Sequence, residues 1–213
     1  MKTIIPVRFL LLLFAVLFCA EAGAADKTIL VWGDSISAGF GLDADTGWVH
    51  LLEQRLQSQG SAYNVVNASV SGETTAGGLS RLPAALDKVH PDIVLIELGG
   101  NDGLRAQSLD AMRANLDKML ALSAAARARA VLFEMYIPPN YGPVYAGRFT
   151  KVFDELAQQH QVPLVPFFLA SLVGERDRWF QDDGIHPNAQ AQPQLLEAVW
   201  PTLAPLLQHA THP

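Results

Sequence analysis

Short apolar runs alternate with longer amphipathic stretches along most of the chain. The runs fall at 28–32, 63–66, 93–98, 130–135 and 163–167, and the first of them is rich in β-branched residues. Between them, apolar side chains recur three or four residues apart, the spacing of one face of a helix. Repeated strand–helix alternation indicates a parallel sheet with helices on both faces. We therefore predict one α/β domain with five strands.

Several helix boundaries can also be predicted from the sequence. Ser108 is placed to cap one helix, and Gly60 is placed to end an earlier one. A Pro- and Gly-rich loop is expected at 137–143. Pro83 leaves the register of a helix at 75–89 open, and Pro193 marks either a kink in the last helix or its true start.

The N-terminus has the composition of a secretory signal peptide. Lys2 and Arg8 precede an apolar run at 9–18, and Ala22-Gly23-Ala24 forms a small-x-small cleavage pattern. We predict a signal peptide at 1–24, cleaved near Ala24 or Ala25, and a domain at 25–213. A membrane anchor is the alternative, but a bilayer span needs about 20 apolar residues.

Export also agrees with the cysteine usage. Cys19, the only cysteine, would be removed with the signal, so the mature chain would have neither a disulfide nor a thiol. This favours a bacterial periplasmic or secreted protein that relies on its core. A lipoprotein anchor at Cys19 is a minor alternative, because Phe18 stands where lipoprotein signals have a small residue. We expect no stable membrane insertion after cleavage.

Small and polar residues follow four of the predicted strands, at 33–37, 67–72, 99–102 and 182–187. Ligands of open α/β sheets bind beyond the carboxyl ends of the strands, so these segments should form one rim. A formal net charge of −6 argues against a nucleic-acid partner, which needs a basic face. We expect a small-molecule site at this rim.

Ser35 is the candidate nucleophile, because it follows a strand and a glycine where a turn would present its hydroxyl group. A plain helix-capping serine is the alternative. The segment is not a G-x-S-x-G nucleophile elbow, since residue 37 is serine, and this disfavours the ordinary α/β-hydrolase family.

His186 is the candidate base. Asp183 stands three residues earlier with Gly184 between them, so a tight turn can bring the carboxylate to one ring nitrogen and leave the other for a serine. Asp182 is the alternative carboxylate, and a helix start at Pro187 is the alternative structural interpretation. The other five histidines, which we expect at the surface, are His50, His90, His160, His209 and His212.

Two further rim residues can donate hydrogen bonds to a developing oxyanion. Asn101 follows two glycines at a strand end and offers a side-chain amide, and Gly72 offers a backbone N–H. Each of them alone is more often a turn residue. The order Ser, Gly, Asn, Asp, His on four rim segments is much less expected by chance.

These segments resemble the conserved blocks of the SGNH, or GDSL, hydrolase family. Ile36 replaces the leucine of the name-giving block, which is within the family's range. The resemblance spans about 28–207 and is closest to the bacterial thioesterase I, lysophospholipase L1 and arylesterase subgroup. It implies a flavodoxin-like three-layer α/β/α sandwich with a five-stranded parallel sheet.

The resemblance also implies residue roles. Ser35 would be the nucleophile, His186 the base and Asp183 its orienting carboxylate, with no metal or cofactor. The oxyanion hole would consist of the Ser35 and Gly72 backbone N–H groups and the Asn101 side chain. The expected substrate-binding residues are Asp34, Ile137, Pro138 and Tyr141. The last three belong to the loop at 137–143, which would line the acyl groove or, alternatively, be a rigid surface loop.

The expected substrates are aryl and short- to medium-chain esters, acyl-thioesters and lysophospholipids, and the expected state is a monomer. One rival is an esterase of acetylated carbohydrate, for which more exposed Trp and Tyr would be expected at the rim. Another is a non-catalytic lipid-binding protein on the same fold.

Overall fold

Five parallel strands form the sheet at the centre of residues 27–208, the part of the chain that this computed structural model describes. They are β1 (Lys27–Gly33), β2 (Tyr63–Asn67), β3 (Ile93–Glu97), β4 (Arg129–Phe133) and β5 (Leu164–Val165). Their order in the sheet is β2-β1-β3-β4-β5, and every neighbouring pair is parallel. The predicted α/β class and strand number are confirmed. The predicted signal peptide, His209 and His212 lie outside the described residues.

Eight α-helices connect and cover the strands within this region. They are α1 (Ser35–Ala38), α2 (Trp48–Ser58), α3 (Thr75–Val89), α4 (Gly100–Leu104), α5 (Leu109–Ala125), α6 (Pro143–His160), α7 (Arg176–Trp179) and α8 (Gln192–Gln208). Helix α5 packs between α3 and α6, whereas α2 packs against α8. These two groups cover the two faces of the sheet. None of the described helices is both long and apolar enough to cross a bilayer.

The central strands are buried on both faces, which explains their continuous apolar sequences. Ile29, Leu30 and Val31 of β1 are fully buried, as are Val94 and Leu95 of β3. Burial of each such side chain contributes roughly 1.5–3 kcal/mol to folding. A rigid core therefore fixes the ends of β1 and β3, from which the first rim segments emerge.

The structure decides the predictions for Pro83, Pro193 and the helix cap Ser108. Helix α3 continues through Pro83, and Pro193 lies in the first turn of α8, so it marks a helix start. The Ser108 hydroxyl accepts a hydrogen bond from the Ala111 N–H at 3.3 Å, as its predicted capping role requires. The short helices α4 and α7 were not expected, because four or five residues carry no helical periodicity.

The surface expectation for the histidines is only partly correct. His90 is exposed. His50 is half-buried beside Gln54, and His160 is half-buried with its ring nitrogen 2.7 Å from Asp117. The contact between His160 and Asp117 joins two neighbouring helices and leaves no signal in a single sequence, whereas His50 and Gln54 are four residues apart in α2.

Candidate active site

Ser35 is the first residue of α1, directly beyond the end of β1. The preceding residue, Asp34, caps this one-turn helix by accepting a hydrogen bond from the Ile36 N–H at 3.0 Å. Because the helix begins at Ser35, the N–H of Ser35 has no partner in the helix. The turn therefore presents a hydroxyl group and an unpaired N–H at the carboxyl edge of the sheet.

The Ser35 hydroxyl meets the imidazole of His186 across 151 residues of sequence. The Nε2 atom of His186 lies 2.8 Å from the Oγ atom of Ser35. On the other side of the ring, Nδ1 lies 2.6 Å from Oδ2 of Asp183. The three groups form a continuous hydrogen-bonded chain, and Asp183 rather than Asp182 is the carboxylate against the ring.

Asp183 is fixed by its own loop. Its Oδ1 atom accepts hydrogen bonds from the Ile185 N–H at 2.8 Å and the His186 N–H at 3.0 Å. Desolvation alone would raise the pKa of Asp183, but hydrogen bonds from the His186 ring and from these two N–H groups outweigh it and lower the pKa to about 2. The carboxylate is therefore ionised at neutral pH. The neighbouring Asp182 side chain is exposed and forms no hydrogen bond or ion pair within residues 27–208.

The loop that carries His186 is anchored on both sides. Phe180 and Pro187 form an antiparallel bridge across it, and the Gln181 N–H donates to the His186 carbonyl at 2.8 Å. The Gln181 amide also donates to the carbonyls of Phe40 at 2.8 Å and Pro187 at 3.2 Å. Gln181 thus connects the loop that carries His186 to the turn that follows Ser35.

Phe40 covers one face of the His186 imidazole, and the sequence did not predict this contact. Its ring centroid lies 4.5 Å from that of His186, while 49% of the residue remains exposed. The Phe40 N–H donates to the Ser35 carbonyl at 3.0 Å, so the aromatic residue is held by the turn that contains Ser35. The only signal in the sequence was an aromatic residue five positions after the candidate nucleophile.

The three predicted oxyanion donors lie at the ends of adjacent strands. Gly72 follows β2 with φ +77°, a conformation that favours glycine, and Asn101 lies in α4 just beyond β3. The backbone N–H groups of Ser35 and Gly72 have no partner among the described residues. The Asn101 amide donates to Oδ2 of Asp34 at 3.1 Å, which leaves its second N–H free.

A buried acidic pair lies beneath this turn. Asp34 is 5% exposed and Glu97, at the end of β3, is 0% exposed. Oε2 of Glu97 accepts hydrogen bonds from the Ser37 hydroxyl at 2.6 Å and the Asp34 N–H at 3.2 Å. Sequence analysis missed Glu97, although it is the single acidic residue within the apolar run at 93–98.

The expected substrate-binding residues occupy different surroundings. Asp34 is buried, and its carboxylate accepts hydrogen bonds from the Ile36 N–H and the Asn101 amide. Ile137 is also buried, and a Cβ added at Gly103 of α4 would lie 2.5 Å from it.

The rest of the loop at 137–143 also contacts α4. Pro138 is exposed, and the hydroxyl of Tyr141 donates to the Leu104 carbonyl at 2.7 Å. The loop is therefore attached to the helix that carries Asn101, beside the rim. Among the described residues, no three His, Cys, Asp or Glu side chains are arranged to hold a metal ion.

Comparison with known proteins identifies the family. Residues 31–192 match the model of the GDSL-like lipase/acylhydrolase family. The chain belongs to this family. The GDSL hydrolase is 53% identical to esterase TesA of Pseudomonas aeruginosa over 184 residues, which cover 86% of this chain and 91% of TesA.

Two further relatives support the same assignment. The GDSL hydrolase is 44% identical to thioesterase 1/protease 1/lysophospholipase L1 of Escherichia coli, with 92% of each chain covered. It also matches the crystal structure of the psychrotrophic esterase EstA from Pseudoalteromonas sp., inhibited by monoethylphosphonate, with a TM-score of 0.82 and 41% identity. That match covers 86% of this chain and 100% of EstA. The fold expected from the resemblance is confirmed, and the protein is an esterase of the SGNH type.

Proposed function

We propose that this esterase works through an acyl-enzyme formed on Ser35, with His186 as general base and Asp183 as the residue that orients His186. The observation that carries the proposal is the 2.8 Å contact between His186 Nε2 and Ser35 Oγ. A serine hydroxyl is a weak nucleophile, and an imidazole at this distance is in reach of its proton.

In the proposed acylation step, Ser35 Oγ attacks the carbonyl carbon of the substrate while Nε2 of His186 takes the hydroxyl proton. The imidazolium then gives this proton to the leaving alcohol or thiol. Water attacks the acyl-enzyme by the same route and releases the acid. The ionised Asp183 accepts from Nδ1, holding the ring in the productive tautomer and stabilising the imidazolium.

The negative charge of the tetrahedral intermediate is assigned to three donors, the N–H groups of Ser35 and Gly72 and the Asn101 amide. The unpaired backbone N–H groups and the free second hydrogen of Asn101 support this assignment. Loss of one such donor typically costs about 3–4 kcal/mol of transition-state stabilisation.

We assign aryl and short- to medium-chain acyl esters, acyl-thioesters and lysophospholipids as substrates. The names of the relatives, among them an arylesterase of Vibrio mimicus, support the ester, thioester and lysophospholipid classes. The exposed apolar residues beside the site also support it, since Phe40, Val70 and Ile185 are 49%, 43% and 51% exposed. Such residues suit an acyl chain or an aromatic leaving group better than a carbohydrate.

We further propose export to the periplasm or beyond, with a signal peptide at 1–24 and a monomeric mature domain at 25–213. The charge, apolar run and cleavage pattern of the N-terminus support this. N-terminal sequencing of the protein from a periplasmic fraction tests it, because an uncleaved terminus in the cytoplasmic fraction would contradict it.

Labelling with a fluorophosphonate probe tests the nucleophile directly. Wild type should be labelled and Ser35→Ala should not, whereas Ser71→Ala, which changes an exposed rim serine, should still be labelled. Hydrolysis of p-nitrophenyl esters should follow the same order. An unlabelled, folded wild type would favour a non-catalytic lipid-binding protein, and a preference for acetylated sugars over acyl-CoA and lysophospholipid would favour a carbohydrate esterase.

A further inference from the structure

Two carboxyl groups lie together beneath the nucleophile turn and take no part in the proposed proton transfer. The Asp34 N–H donates to Oε2 of Glu97 at 3.2 Å, and the two carboxyl side chains also act on each other electrostatically. They are 5% and 0% exposed, and no Lys or Arg acts on either of them within the described chain. Two buried negative charges without a cation are strongly unfavourable, so the pair must keep a proton.

The surroundings differ between the two carboxyls. Asp34 accepts hydrogen bonds from the Ile36 N–H and the Asn101 amide, and the charge of His186 also acts on it. Glu97 receives both of its hydrogen bonds on Oε2, and its Oε1 atom has no hydrogen-bond partner in residues 27–208. The better-solvated carboxylate is therefore Asp34, and Glu97 is the group suited to be neutral.

The pKa values of the two carboxyl groups also indicate that Glu97 is the protonated one. Burial, together with the charge of Asp34, raises the pKa of Glu97 well above 4.5. Burial raises the pKa of Asp34 only to about 6, because its donors and His186 oppose the effect. The pair thus retains a proton on Glu97 at pH values at which an ordinary glutamate is ionised.

We propose that Glu97 is a positioning residue that, as a neutral carboxylic acid, donates its proton to Asp34 and thereby fixes the Asp34–Asn101 contact in the oxyanion hole. This inference rests on the proposed function, because it concerns how the donor Asn101 is oriented. One N–H of the Asn101 amide is held by Asp34, which directs the other toward the oxyanion.

The absence of a side chain at Gly33 leaves room for the carboxyl group of Glu97. A Cβ added at Gly33 would lie 2.5 Å from Oε2 of Glu97 and 2.7 Å from the Cβ of Ser37. Contacts that close are not tolerated, so any side chain at residue 33 would displace Glu97 or Ser37. Gly33 is therefore required at this position because any side chain would occupy the space of the Glu97 carboxyl group.

The matched variants Glu97→Gln and Glu97→Leu test the role in catalysis. Glutamine can still donate to Asp34 and accept from Ser37, whereas leucine can do neither. We expect Glu97→Leu to lower kcat at least tenfold with little change in KM, since an interaction specific to the transition state is lost. Glu97→Gln should recover most of that loss, and equal losses in the two variants would overturn the proposal.

The pH dependence of unfolding gives a readout that is independent of activity and of whether Glu97→Leu folds. The unfolded wild type releases the Glu97 proton above about pH 4.5, but the native state keeps it. Between pH 6 and 8, Glu97→Gln should therefore gain stability relative to wild type, by up to tenfold in the unfolding equilibrium constant per pH unit. Asp34 and His186, the other titratable groups acting here, are present in both proteins.

Either of two results would overturn the proposal that Glu97 is neutral in the native state. The first is a stability of Glu97→Gln relative to wild type that does not change with pH, and the second is a relative stability that falls as the pH rises. Failure of the proposed function would look different, because wild type would then lack fluorophosphonate labelling at Ser35 while the pH-dependent difference persisted.

Discussion

The ring of Phe40 lies against the imidazole of His186, with 4.5 Å between the ring centroids. The same phenylalanine is bonded through its backbone to both the nucleophile turn and Gln181. Its side chain is therefore placed to restrict the motion of this imidazole.

We expect Phe40→Ala to lower kcat/KM for p-nitrophenyl butyrate about three- to tenfold, since a contact between two aromatic rings contributes about 0.5–1.5 kcal/mol. Phe40→Leu, which keeps an apolar cover, should lose less. Phe167→Ala, which removes a ring packed on Tyr136, is the control. An unchanged kcat/KM in Phe40→Ala would show that the contact has no role in turnover.

Neighbouring aspartates should differ sharply in their importance. Asp183→Asn replaces the acceptor of the Nδ1 proton and should lower kcat by a factor on the order of 10³–10⁴, as in other triads. Asp182→Asn changes an exposed carboxylate that forms no bond in the described chain and should stay close to wild type. Steady-state kinetics of both variants on one ester measures this difference. Equal losses of kcat in the two variants would leave the orienting carboxylate unassigned.

Acid should weaken the fold through Asp183. The pKa of this carboxyl is about 2 in the folded protein, below its ordinary value of 3.8. The stabilisation is therefore fully present above about pH 4 and is lost as the pH falls toward 2. We expect denaturant titrations to show wild type more stable than Asp183→Asn at pH 6, with the difference shrinking at pH 2.5. A difference that is constant over this range would contradict the lowered pKa.

The loop at 137–143 should influence acyl-chain preference, because it is attached to the helix that carries Asn101. Tyr141→Ala removes the ring and the bond to the Leu104 carbonyl, whereas Tyr141→Phe removes only the bond. We expect Tyr141→Ala to change the ratio of decanoate to butyrate hydrolysis more than Tyr141→Phe does. Val144→Ala, at a position 77% exposed, is the control. Identical chain-length profiles would identify a plain surface loop.

Much of the fold was accessible from the sequence, because its signals are local. The β-branched runs at 28–32 and 93–98 predict buried parallel strands, and the strand ends predict where Ser35, Gly72 and Asn101 lie. The partnership of His186 with Asp183 was also predictable, since both residues lie in one tight turn.

The remaining features depend on contacts between distant segments. The approach of Phe40 to His186 and of Glu97 to Asp34 follows from how loops and strands meet, and no periodicity encodes it. Glu97 did carry a local signal, because an acid inside a fully buried strand requires a partner. Its meaning became clear only with the residues packed around it.

The proposed oxyanion donors follow three adjacent strands, whereas His186, the proposed base, is carried by a loop that reaches the rim from the far end of the chain. Segments with few buried contacts open at lower free energy than a central sheet. On warming, we therefore expect the imidazole to drift from the serine while the sheet is still intact. Thermal inactivation would then be reversible at first, because cooling restores one loop and does not require the domain to refold.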